Sequence, residues 1–149
     1  MNQRLAEILL FASIAMNAAL LAFLAGVIRK VMNDMEEPAF LQFVKSLYRH
    51  STKSPFMLTI LNIPLLGAIP YFCFYGFKNR WMISGLVLWL IAGCIAKMIK
   101  VPIYKKINAL SNDDVDGLMK VRPILNAGNV LQAILNCASA ALMAGAFMN

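Results

Sequence analysis

Four stretches without a charged side chain make up most of the chain: Ile8 to Ile28, Ser54 to Phe77, Trp81 to Ala96 and Pro123 to Asn149, of 21, 24, 16 and 27 residues. A helix rises ~1.5 Å per residue, so about 20 apolar residues cross a hydrocarbon core of ~30 Å. With 60% hydrophobic residues and only 14% charged, the 149-residue chain is too apolar for a water-soluble domain of this size. The expected fold is all-α: one integral membrane domain over residues 1–149, with spans at about 8–28, 55–77, 81–99 and 123–147. The first stretch follows Arg4 as the apolar region of a signal peptide would. Its length and the lack of a clear A-x-A site favour a retained helix.

Fourteen Lys and Arg against seven Asp and Glu give a net charge of +7. The basic residues separate apolar stretches instead of sharing one surface, which argues against a nucleic-acid partner and for anionic lipid headgroups. One precedes the first span, five lie between spans one and two, two between two and three, and six between three and four. The positive-inside rule then places both long loops in the cytoplasm and both termini outside. In the first long loop Phe40, Leu41, Val44, Leu47 and Tyr48 share one helical face, with Gln42, Lys45, Ser46 and Arg49 opposite, just after Pro38. This pattern predicts an interfacial amphipathic helix, with Glu36 and Glu37 at its N-terminal end. In the second loop, Ser111-Asn112-Asp113-Asp114 is a capping-box pattern that predicts a short helix, with a break or a first turn at Pro123.

The spans carry a few polar features. Ala18, Ala22 and Gly26 form a small-xxx-small seam, and Ser13 and Asn17 are expected to point into the bundle. Pro64 and Pro70 each remove a donor from span two and free a carbonyl. Trp81 and Tyr104 suit the two membrane interfaces, while Trp89 either packs against a flat ligand or fills space. Two readings of Lys97 stay open: its ammonium extends to the headgroups, or it turns inward and lends a cavity positive charge. On span four, Asn126, Asn129, Gln132, Asn136 and Ser139 fall within an arc of about 140°, as a stripe of interhelical hydrogen bonds or as a pocket lining.

Spans two to four hold no Asp or Glu, which disfavours a central proton-coupling carboxylate and a carboxylate-bridged di-iron site. The lone His50 lies in a loop, leaving no bis-histidine haem and no metal-binding cluster. Cys73, Cys94 and Cys137 form no C-x-x-C pair and are expected as reduced, buried thiols. The expectation is a protein without metal or cofactor.

Lys100-Val101-Pro102-Ile103-Tyr104, followed by Ile107 and Leu110, resembles the V-P-[LI] feature after the third span of the anthrone-oxygenase-like family of small four-helix membrane proteins. Ala39-Phe40-Leu41-Gln42-Phe43, Ser54-Pro55-Phe56 and Asn126 resemble features of the same family at matching places. The resemblance implies a four-helix membrane fold, a bacterial inner-membrane location and oxidation of a lipophilic anthrone- or hydroquinone-like substrate by O₂ without a cofactor. For such chemistry Lys97, Asn126 and Asn129 are the candidate oxyanion stabilisers, Trp89 and Tyr104 the flat walls, and Gln132 and Asn136 further binding residues. His50 is the candidate base, with Lys97 as its alternative. The rival expectation is a non-catalytic module, either a subunit of a homo-oligomer or of another membrane protein, or a binder of a lipophilic small molecule.

Overall fold

The structure, a computed structural model, describes residues 2–111 and 114–148. Five helices follow one another and no strand occurs among the described residues: α1 (Gln3–Asn33), α2 (Glu37–Lys53), α3 (Pro55–Tyr75), α4 (Arg80–Ala109) and α5 (Val115–Ala144), the last ending in a 3₁₀ turn, Gly145–Phe147. All but α2 are long and apolar enough to cross a membrane, and the chain is a membrane-protein helical bundle. α1 packs between α3 and α5, and α5 between α1 and α4.

Polar side chains mark the helix starts. The Asn2 side chain accepts from Arg4 N, Ser54 Oγ from Met57 N and Asn79 Oδ1 from Trp81 N, while Asp114 accepts from Gly117 N at 2.8 Å. Each satisfies a donor that a first turn leaves orphaned. Asp114 thus supplies the cap expected of the second loop, while Asn112 and Asp113 lie outside the described residues. α3 stops at Gly76, whose φ of +69° is open to glycine and costly for other residues.

The helices outrun the apolar stretches. α4 and α5 have 30 residues each, about 45 Å at ~1.5 Å per residue, well beyond a hydrocarbon core of ~30 Å. Pro123 is neither a break nor a first turn: α5 runs unbroken through it, so the expected short helix and the fourth span are one element. The overhanging ends build a core of their own, in which Met32 of α1 and Phe40, Leu41 and Val44 of α2 meet Ile103 and Ile107 of α4 and Leu118, Val121 and Leu125 of α5. The amphipathic face expected to lie on lipid is therefore covered by protein: Phe40 is 0% exposed and Leu41 and Val44 1% each. Lys45 Nζ donates to Leu110 O at 2.8 Å and so caps the C-terminus of α4. Tyr104, expected at an interface, stacks on Tyr48 with ring centroids 4.6 Å apart.

A second core fills the opposite end, around Leu10, Ile14, Ala68, Tyr71, Met82, Leu86 and Met143. Close helix approach there depends on glycines the sequence did not single out. A Cβ on Gly85 would stand 2.9 Å from Ser139 O and collide with Met143, and one on Gly145 would stand 2.9 Å from the Trp81 ring. The Ala18, Ala22 and Gly26 seam is not used in this way. Only Ala18 is buried, and nothing lies within 4 Å of a Cβ placed on Gly26. The three cysteines are free thiols, as expected, but exposed on the outer faces of the helices instead of buried.

Two irregularities in the membrane-spanning helices are repaired by side chains of α1. Pro64 has no N–H to give Ile60 O four residues earlier, and Asn17 Nδ2 donates to that carbonyl at 2.8 Å from across the α1–α3 contact. In α1 a π turn, Leu24–Ile28, shifts the ladder so that Arg29 N reaches Leu24 O. Arg29 Nε then donates at 2.9 Å to Ala25 O, the carbonyl its own N–H would reach in a regular α-helix.

Candidate functional site

The residues expected to form one site are distributed over the molecule. Lys97 is exposed on α4, and His50 is exposed in the last turn of α2. Trp89 packs against the core at one end of α4 and Tyr104 against the core at the other. Fifteen residues separate them, roughly 22 Å along the helix. They do not form two walls of one slot.

The amide stripe of α5 does turn inward. Asn129 and Asn136 are 2% exposed and Ser139 0%. Most of its members bind neighbouring helices: Asn126 Nδ2 donates to Asn33 Oδ1 of α1 at 2.7 Å, Ser139 Oγ to Gly85 O of α4 at 2.7 Å, and Lys100 Nζ of α4 to Gln132 Oε1 at 2.9 Å. Asn136 Nδ2 donates within α5 to Gln132 O at 2.8 Å. Lys100, which the sequence left to the V-P-[LI] feature, is thus the lysine that meets the stripe, in place of Lys97. It reaches α5 because Gly128 has no Cβ in the way of its methylene chain, the Cβ position lying 3.3 Å from Lys100 Cγ. Among the described residues, Asn126 Oδ1 and Asn129 Oδ1 are buried acceptors without a donor.

A cavity of about 470 Å³ opens between α1 and α3, walled by Leu10, Ser13, Gly67, Pro70, Tyr71 and Phe74 among others. Ser13 turns its hydroxyl into its own helix, donating to Leu10 O at 2.7 Å. Gly67 and Pro70 shape the α3 wall: a Cβ on Gly67 would come within 3.3 Å of Leu10 Cδ1, another lining residue.

One polar group stands behind this apolar wall. Glu7, 7% exposed, accepts at Oε1 from Tyr71 OH at 2.8 Å, Gln3 Nε2 at 3.0 Å and Asn79 Nδ2 at 3.1 Å. A carboxylate taken out of water is tolerable only with such donors. Asn79 serves twice, capping α4 with its oxygen and holding Glu7 with its nitrogen. Two helices, α1 and α3, and the α3–α4 turn therefore meet at one carboxylate. The sequence signal was present: of the seven acidic residues only Glu7 lies outside the long loops and their flanks, four residues after Gln3. Tyr71 had no signal, since a tyrosine in an apolar run reads as packing.

A second cleft, of about 510 Å³, lies between α2 and the end of α4 and includes Lys45, Arg49 and Asn108 in its lining. A third, of about 560 Å³, runs along α1 and α5 beside Arg29 and Asn126. No group of three or more His, Cys, Asp or Glu suited to a metal ion occurs among the described residues.

These features define an integral membrane helical bundle with a lateral apolar cavity whose lining includes Tyr71, the donor to Glu7. No family model matches the chain, and no curated protein and no solved structure matches it either.

Proposed function

We propose that the protein is a membrane-embedded binding module for a lipophilic small molecule, with the α1–α3 cavity as its site. The observation that carries this reading is an apolar space of about 470 Å³ whose wall includes Tyr71, held in place by its bond to Glu7 behind it. Ligand sites are commonly apolar cavities of ~300–1,000 Å³ with few polar groups that fix orientation. A ring or chain of the size of an anthrone or a hydroquinone suits the walls, and a hydroxyl or carbonyl oxygen suits the polar end.

The cofactor-free oxidase reading rests on the family resemblance. It requires a base and an oxyanion donor facing one cavity, and the dispersal of Lys97, His50, Trp89 and Tyr104 lends it no support. The end of the bundle that carries α2 is read as cytoplasmic from the excess of basic residues in both long loops, with the termini outside, in a bacterial inner membrane. α2 is read as lying at that membrane–water boundary, its polar face toward the headgroups and its apolar face on α4 and α5.

The test is quenching of tryptophan fluorescence by a panel of anthrones and naphthoquinones in detergent, with Trp81→Phe leaving Trp89 beside the core at the cavity end. Saturable quenching is expected, weakened at least tenfold by Gly67→Leu, the loss of ~1.4 kcal/mol of binding. Unsaturable quenching that is identical in Gly67→Leu refutes the site. Oxygen uptake with the same panel, in the unaltered protein and in Lys97→Met, tests the oxidase reading separately.

A further inference from the structure

The groove along α1 and α5 joins a fixed cation to an apolar track. Arg29 is the first charged residue after the 21 charge-free residues of α1, a run of about 31 Å at ~1.5 Å per residue, so its side chain stands at headgroup depth. Its Nε is held by Ala25 O at the π turn, and its side chain makes no other hydrogen bond or ion pair among the described residues. The guanidinium is therefore fixed at one edge and presents both Nη groups at the other. Below it Ala127, Val130, Leu131 and Ile134 line the groove along two turns of α5, and no carboxylate lines it.

We propose that this groove binds one anionic phospholipid, its phosphate on the Nη edge of Arg29 and one acyl chain along Val130, Leu131 and Ile134. The occupant is argued from charge and depth. A planar guanidinium matches two phosphate oxygens at once, and it stands where lipid phosphates lie. The apolar track starts directly beneath it and runs toward the bilayer centre, as an acyl chain does. A soluble phosphate ester lacks the chain that this track fits, and a zwitterionic lipid brings an ammonium to a groove whose only charge is positive. The lipid also gives the π turn a role: without the extra residue in that turn, Arg29 N would take Ala25 O and the side chain would lose the acceptor that fixes it.

The test is native mass spectrometry of the detergent-purified protein with added 1-palmitoyl-2-oleoyl phosphatidylglycerol or phosphatidylcholine, each with and without excess inorganic phosphate. One retained phosphatidylglycerol is expected, favoured over phosphatidylcholine by about fivefold, the worth of one basic side chain beside an anionic headgroup. Inorganic phosphate is expected not to displace it. Arg29→Gln removes the preference, whereas Lys30→Gln, the same charge change on the exposed neighbour, keeps it. Ala127→Phe, which fills the groove and leaves Arg29 in place, abolishes retention and decides the matter should Arg29→Gln fail to fold. Equal retention of both lipids, equal effects of Arg29→Gln and Lys30→Gln, displacement by phosphate, or full retention in Ala127→Phe each overturns the proposal.

Discussion

The bond from Asn17 to Ile60 O gives a quantitative prediction, because the need for it is created by a second residue that can be removed. Asn17 is 1% exposed, and Pro64, whose missing N–H frees the Ile60 carbonyl, is fully buried as well. A buried carbonyl left without a donor costs ~1–3 kcal/mol, and interhelical hydrogen bonds in membranes are worth ~0.6–1.7 kcal/mol. Asn17→Leu is therefore expected to lower the unfolding free energy by about 1–2 kcal/mol. In a Pro64→Ala background residue 64 regains an N–H, the carbonyl is bonded within α3, and Asn17 becomes dispensable. The double-mutant cycle should then give a coupling of about 1 kcal/mol or more, read by reversible unfolding in mixed micelles at increasing dodecyl sulfate fraction. The cycle cancels whatever Leu gains by its own packing and whatever Pro64→Ala does to the helix bend. Equal losses from Asn17→Leu in both backgrounds, within about 0.5 kcal/mol, would refute the idea that Asn17 serves the proline.

Other changes follow from contacts of the same kind. Gly85→Ala is expected to cost about 1–3 kcal/mol by overpacking. Met143→Ala should recover only part of it, because the Ser139 carbonyl remains 2.9 Å from the added Cβ. Gly93→Ala on the same helix, where nothing lies within 4 Å, is the control and should be neutral or stabilising. Arg122 donates to Met32 O and Met35 O at the end of α1, lies 3.7 Å from Glu37 and 4.5 Å over the Phe40 ring. Arg122→Gln should cost about 2–3 kcal/mol in a thermal melt and speed proteolysis between α1 and α2, and Arg122→Lys should not restore it, since the fork is lost. Lys100→Met is expected to leave stability unchanged or raise it, because no carboxylate pairs with Lys100 among the described residues. A clear fall in melting temperature would show that the lysine's bond to Gln132 outweighs its desolvation.

Much of the architecture is legible in residue order, for reasons these contacts make plain. Apolar runs of about 20 residues report spans directly because the bilayer sets one length for all of them. The α2 face was legible from the spacing of Phe40, Leu41 and Val44, but its partner was not. An apolar face looks the same in sequence whether lipid or protein covers it, and the deciding fact is that α4 and α5 overrun the membrane far enough to supply Ile103, Ile107, Leu118 and Leu125. The spacing of the amides puts them on one face of α5, but which lysine that face meets depends on Gly128 clearing a path for Lys100. The two prolines of α3 mark a helix that can bound a cavity, but not what stands beside it. Behind the cavity wall Glu7 joins Tyr71, 64 positions away, and Asn79, 72 away. No local pattern carries such a pairing.

The burial of α2 has a consequence for how the protein is made. A ribosome delivers α1 and α2 first, but the surface that covers Phe40, Leu41 and Val44 includes α5, and Arg122, which clasps the α1–α2 corner, follows Met35 by 87 positions. At about 5–20 residues per second that is a delay of roughly 4 to 17 s. During it the apolar side of α2 lacks the part of its cover that α5 supplies, Leu118, Val121 and Leu125. The packing of α2 is therefore completed only by the last helix to be made, and the α1–α2 corner is clasped only once the final span has joined the first.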